Sequence, residues 1–163
     1  MVADDGKGVQ RSYLASEELY GVLRDMHERK QLMFERADAF VARLNYGIAL
    51  LEKRSFTEAE EQLRQALKRN EASPVAHYYL GLTLLSRRSY DEAEKELLRT
   101  IELSGDSLSL AHKYLGGLYW RKGDYARAVT ELELYLKLSP NAPDAEQIRG
   151  TINNLRSKTG SSK

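Results

Sequence analysis

Residues 45–67 read NYGIALLEKRSFTEAEEQLRQAL, residues 79–101 read YLGLTLLSRRSYDEAEKELLRTI, and residues 114–136 read YLGGLYWRKGDYARAVTELELYL. Superposed, the three stretches keep four kinds of site in one register. Gly47, Gly81 and Gly116 follow one another at 34 and 35 residues. The small residues Ala59, Ala93 and Ala128 repeat with them, as do the aromatics Phe56, Tyr90 and Tyr125 and the leucines Leu63, Leu97 and Leu132. Self-similarity at this period marks a stacked architecture, in which each unit buries its apolar face only against its neighbours.

Each copy carries two segments of helical period around a short polar break: Lys53-Arg54-Ser55, Arg87-Arg88-Ser89 and Lys122-Gly123-Asp124. Ser55, Ser89 and Asp124 are residue types that cap helix N-termini, and acids follow at Glu58, Asp91 and Glu92. Basic residues before the break and acids after it suit the two helix dipoles. Breaks this short force antiparallel neighbours. Gly47, Gly81 and Gly116 fall inside the first helix, where glycine costs about 1 kcal/mol against alanine. That cost implies close approach of the paired helix, with Ala59, Ala93 and Ala128 expected as the opposing small sites. A large side chain at Gly81 or Ala93 would then overpack the contact by roughly 1–3 kcal/mol.

The pattern resembles the tetratricopeptide repeat (TPR) family: an apolar residue and Gly, a large apolar residue three on, an aromatic six later, then Ala. A second small site holds Ala66, Thr100 and Tyr135, and Pro140 closes the third copy where Glu71 and Gly105 stand in the first two. The resemblance implies an all-α, right-handed superhelical solenoid of antiparallel helix pairs. It divides the chain into repeats at 40–73, 74–107 and 109–142. Before them, 1–11 is expected to be flexible and 12–39 to form an N-terminal helical segment, with Leu19, Leu23, Met26, Met33, Ala37, Phe40 and Leu44 on a four-three spacing. That segment reads as an extra helix packing on the first repeat, or as a short coiled-coil dimerisation helix. After Pro143, residues 143–156 begin a fourth first-helix with no second helix behind it. Ala145, Ile148, Ile152 and Leu155 make one apolar stripe there, as a capping helix needs. Residues 157–163 are expected to be a disordered tail.

Composition narrows the function classes. Lys and Arg number 25 against 24 Asp and Glu, so nothing points to nucleic acid as partner. With no cysteine, disulfide frameworks, thiolate metal sites and cysteine nucleophiles are excluded. His77 and His112 share one repeat position, and His27-Glu28 lacks the second histidine of a zinc motif. We therefore expect no enzyme, no metal and no cofactor. No apolar run is long enough to span a membrane. MVADDGKGVQR at the start carries no apolar signal core, which makes the cytoplasm the default location, with an exported protein or an excised fragment as the alternative.

The functional expectation comes from the first helix of each repeat. Tyr46 and Leu50, Leu80 and Leu84, and Leu115 and Tyr119 should face the partner helix. A second stripe runs through Val41, Leu44, Ile48 and Leu51, then Val75, Tyr78, Leu82 and Leu85, then Leu110, Lys113, Gly117 and Trp120. In the family this stripe lines a concave groove for peptides or helices. A helix apolar on two faces is buried on both or awaits a partner. Trp120 and Lys113 are the expected contacts with a foreign ligand. Alternatively, part of the stripe packs neighbouring repeats, or the chain's own N-terminal helix fills the groove. Family members that grip acidic chaperone tails use Lys, Asn and Arg at sites matching Leu44, Ile48, Tyr79, Leu110 and Tyr114. None of these carries such a side chain, which favours an apolar or helical segment over an acidic tail. The expected function is thus a non-catalytic protein–protein interaction scaffold. The alternatives are a self-associating homo-oligomer module and the TPR part of a larger protein. Lys53, Arg54, Arg87, Arg88, Arg121 and Lys122 could form a basic rim, or merely offset helix dipoles.

Overall fold

The computed structural model describes residues 7–160, with side-chain surroundings for most positions from Gly21 onward. Every regular element among them is helical: α1 (Lys7–Glu52), α2 (Phe56–Leu67), α3 (Pro74–Ser86), α4 (Tyr90–Ser104), a 3-10 turn at Gly105–Ser107, α5 (Ser109–Lys122), α6 (Tyr125–Leu138) and α7 (Ala145–Gly160). No helix among the described residues is long and apolar enough to cross a membrane. The chain divides into two compact units, 1–39 and 40–163.

The first unit is helical from Lys7, so the part of segment 1–11 that is described is helix; residues 1–6 lie outside the described residues. Val22 and Leu32 are exposed there, and Arg29 pairs with Asp25 one turn earlier at 2.9 Å. The apolar positions Leu19, Leu23, Met26, Met33 and Ala37 lie outside the described side chains.

In the second unit the turns explain how each pair closes. Ser55 N–H donates to Leu50 O and Arg54 N–H to Leu51 O; Ser89 and Arg88 repeat this on Leu84 and Leu85, and Asp124 and Gly123 on Tyr119 and Trp120. This pair of hydrogen bonds satisfies orphan carbonyls of the first helix and puts a residue just past its end in the left-handed region. Arg54, Arg88 and Gly123 accordingly have φ of 62°, 64° and 80°. Only the third repeat has the residue type suited to that place. Ser55 and Ser89 stand at the N-cap positions but make no side-chain cap bond. Asp124 does cap, accepting from Arg127 N–H at 3.0 Å, and Ser73 caps α3 through Ala76 N–H.

Between the two helices of each repeat lies a tight seam. A methyl group at Gly47, Gly81 or Gly116 would stand 2.7, 2.9 or 2.7 Å from the Cγ of Leu63, Leu97 or Leu132. The close approach is therefore chiefly glycine against leucine. The expected opposing alanines are fully buried, and Ala59 and Ala128 contribute their backbone carbonyls to the contact. One turn away a polar pair recurs. Arg43 donates to Gln62 at 2.9 Å, His77 Nδ1 lies 2.6 Å from Glu96 Oε2, and His112 Nδ1 lies 2.7 Å from Glu131 Oε2. Both histidines are thus consumed by the seam.

Repeats then stack first helix on preceding second helix. Leu80, Leu84, Leu115 and Tyr119 are buried by this stacking. Tyr46 was expected to face the partner helix too, yet it is 54% exposed. Among the described residues no helix comes before α1 to play the part that α2 plays for α3. Charges follow the same step. Arg87 bonds Glu60, Lys122 bonds Glu94 at 2.6 Å and Asp91 at 2.7 Å, and Arg156 bonds Glu133. These cations hold one register position in successive first helices. In α7, Ala145, Ile152 and Leu155 are buried and Ile148 half-buried. The helix continues through Gly160, so residues 157–160 of the expected disordered tail are helical; residues 161–163 lie outside the described residues.

Candidate functional site

The face shared by the first helices is where unsatisfied apolar surface collects. Val41, Val75 and Leu110 occupy one register position and are 49, 40 and 41% exposed; Trp120 is 48% exposed. Leu44, Ile48, Leu51, Leu82 and Leu85 are half-buried. An apolar side chain is left half in water at the same place in three successive repeats, a recurrence that isolated surface leucines do not show.

Two expected ligand contacts are placed differently. Tyr78 is only 8% exposed and belongs to the core. Its ring meets Tyr79 edge-on at 5.2 Å and Tyr114 at 6.0 Å, so aromatic packing claims it. Burial, with Tyr114 and Tyr79 nearby, pushes its hydroxyl well above the usual tyrosine value. Lys113 lies along the strip but ion-pairs with Asp144 at 2.6 Å, with its ammonium 5.7 Å from the Tyr135 ring centroid. Tyr135 donates to the other Asp144 oxygen at 2.7 Å. The bonds from Lys113 and Tyr135 hold the Asp144 carboxyl below the ordinary carboxylate range. Burial, and then the bond to Asp144, pushes the Tyr135 hydroxyl up to about 12. The lone charge of the strip is therefore engaged in tying α5 to the start of α7.

A hollow of about 580 Å³ opens between the ends of α3, α5 and α7. Leu85, Gly117, Leu118, Trp120 and Ile148 supply its apolar lining, and Tyr90, Tyr114, Arg88 and Arg121 its polar edge. A smaller hollow of about 380 Å³ lies across Trp120, beside Gly150, Thr151 and Asn154. Trp120, Gln147 and Thr151 line both. Tyr114, Ile148 and Thr151 were not among the expected groove residues. Ile148 and Thr151 belong to α7, which reads as a capping fourth first-helix; carrying the groove stripe one repeat further, from Gly117 to Thr151, would have found the second of them.

The basic rim separates into two sets. Arg87 and Lys122 are spent on acids of the preceding second helix. Burial opposes the charge of Glu94, but bonds from Lys122 and Tyr119 and the charges of Lys122 and Arg127 outweigh it and keep that carboxyl low. Arg88 and Arg121 turn to the hollow instead. Arg121 lies 5.6 Å from the Tyr90 ring centroid and donates to its hydroxyl at 3.2 Å.

The family described as tetratricopeptide repeat matches residues 44–107 and 109–143. Solved structures with the same fold include the Arabidopsis OM64 TPR domain, 16% identical, with TM-score 0.69 over 73% of this chain and 98% of that one. The second TPR domain of human RPAP3 in complex with an HSP70 peptide is 20% identical, with TM-score 0.66 over 72% and 98%. The Yersinia enterocolitica type III secretion chaperone SycD in complex with a peptide of the translocator YopD is 14% identical, with TM-score 0.63 over 72% and 89%. No curated protein sequence matches the chain.

Proposed function

The chain belongs to the tetratricopeptide repeat family, and from that premise we propose that it is a non-catalytic interaction scaffold. Its first-helix face, from Val41 to Trp120, holds a partner segment. The observation that carries this is the strip of Val41, Val75 and Leu110, exposed in one register and ending at Trp120 beside the larger hollow. A preformed apolar groove binds by displacing water from such surface, with an aromatic anchor at its end. The RPAP3 and SycD structures carry peptides, and the same kind of occupant suits this face.

The chemistry favours an apolar or helical segment over a clamped acidic tail. Leu44, Ile48, Tyr79, Leu110 and Tyr114 offer no cationic or amide side chain, and the nearby Lys113 is already paired with Asp144. An amphipathic helix laid in the groove would set its anchors at helical spacing against successive repeats. The test is affinity capture followed by mass spectrometry, comparing the wild-type chain with a Val75→Asp, Trp120→Ser variant. Both residues are exposed, so the circular dichroism spectrum should be unchanged while the specific partner is lost. An identical partner set from the two proteins would refute the groove.

A further inference from the structure

Gly117 is the residue that seam packing does not account for. Gly47, Gly81 and Gly116 each face a leucine that leaves no room for a methyl group, whereas a Cβ added at Gly117 meets nothing within 4 Å. Glycine inside a helix is unfavourable against alanine. At this register the other first helices carry Ile48, Leu82 and Thr151. The third repeat thus omits a side chain that its neighbours have, and the hollow of about 580 Å³ takes in the space left above it. Leu85, Ile148 and Trp120 wall that space with apolar surface.

Its edge is charged in one sense. In the doublets Arg87-Arg88 and Arg121-Lys122, one member of each pair is bonded to acids between repeats. Arg88 and Arg121 line the hollow, and no carboxylate among the described residues is within ion-pair distance of either. Arg121 is held in place by Tyr90. Lys113, also on the lining, is neutralised by Asp144. The result is a hollow with apolar walls and two guanidinium groups on its lining, and guanidinium matches carboxylate geometry better than any other side chain.

We propose that the hollow over Gly117 is an anchor subsite. It takes one bulky apolar side chain of a partner protein segment in which an adjacent residue is Asp or Glu, the carboxylate docking on Arg88 and Arg121. This rests on the groove reading above and specifies the partner at one end of that groove.

The test is selection of phage-displayed random dodecapeptides on the wild-type chain, followed by binding of the synthesised consensus peptide to variants. The enriched peptides should pair a large apolar residue with Asp or Glu. Gly117→Leu fills the hole and should weaken the consensus peptide at least tenfold, while its melting temperature stays at or above that of the wild type. Gly117→Ala, a smaller intrusion, should weaken it less. The Arg88→Gln, Arg121→Gln variant should weaken the acidic peptide tenfold and leave its Asn/Gln analogue unchanged, with less salt dependence. Peptides that bind Gly117→Leu as well as wild type but fail on Val41→Asp, Val75→Asp overturn the subsite and leave the groove standing. Peptides indifferent to both sets overturn both readings. Enrichment of no peptide sensitive to Gly117→Leu also overturns the subsite.

Discussion

Two surfaces of the same first helices behave in opposite ways along the chain. On the seam, every repeat uses one solution: Gly47, Gly81 and Gly116 against Leu63, Leu97 and Leu132. On the groove face, the register drifts. It runs Val41, Leu44, Ile48, Leu51 in the first repeat, then Val75, Tyr78, Leu82, Leu85, then Leu110, Lys113, Gly117, Trp120, and ends in α7 as Asp144, Gln147, Thr151, Asn154. Close packing tolerates little change in volume, so the seam repeats itself. The groove face contacts solvent or a partner, and each of its positions is free to take its own chemistry. The drift from apolar to polar is therefore where the third repeat acquires its distinct hollow.

The largest difference should appear on deleting side-chain volume. Leu97 is fully buried against Gly81, and Leu97→Ala should cost roughly 2–5 kcal/mol. Leu85→Ala, on the half-buried groove face, should cost a fraction of that. Guanidinium unfolding midpoints with unchanged slopes measure both. Equal losses would erase the distinction between the two faces.

Adding volume sharpens the contrast, because the sign should change. Gly81→Val drives a branched side chain into Leu97 and should destabilise by about 1–3 kcal/mol. Gly117→Ala meets open space and should stabilise by up to about 1 kcal/mol through helix propensity. Thermal melts read the pair directly, and a destabilised Gly117→Ala would show that packing, not a ligand, keeps this glycine.

The turns provide a third contrast among repeats. Arg88 sits at φ 64° where Gly123 sits at φ 80°. A side chain in the left-handed region costs roughly 1–2 kcal/mol. Arg88→Gly should therefore raise stability by about 1 kcal/mol, and Gly123→Arg should lower it. A lower midpoint for Arg88→Gly would mean that the arginine side chain contributes more to the fold than the strain removes.

The smallest effect is electrostatic. Burial opposes the charge on Glu60, but its bonds to Arg64 and Arg87, together with their charges, prevail and lower its folded-state pKa; Glu94 behaves alike beside Lys122. A depressed carboxyl adds stability that is fully present above the ordinary value of 4.5 and is lost as pH falls through the lowered one. Urea midpoints should hold steady above that pH and decline below it, and Glu94→Gln should shallow the decline. An unaltered acid profile in Glu94→Gln would show that the stacking charges contribute nothing measurable.

Much of the fold was legible because its signals are local and repeated. Gly at a fixed interval, a polar break and an aromatic before each alanine suffice to place paired helices between residues 40 and 142. The groove positions were legible as a register but not as environments. Tyr78 reads as a groove residue, and only its contacts with Tyr79 and Tyr114 place it in the core. Tyr46 reads as a packing residue, yet it stands exposed, with no described helix seated on α1 as α3 is on α2. The serines before α2 and α4 have the right chemistry for caps, yet only Asp124, in the same kind of turn before α6, makes a side-chain cap bond.

By itself, the sequence determined the family, the helix pairs and the glycine positions at which two helices must meet, because periodic spacing encodes them. It also showed that the first helices carry more apolar surface than one seam can bury. Tertiary structure decided which of those residues remain open, since exposure depends on neighbours brought from elsewhere in the chain, as Leu132 is to Gly116 and Tyr114 to Tyr78. It alone separated Gly117 from Gly116, adjacent in the chain and identical in type. One is closed by Leu132, and the other opens onto a hollow. The physical reason is that a helix turns about 100° per residue, so neighbours in sequence look out on different surroundings.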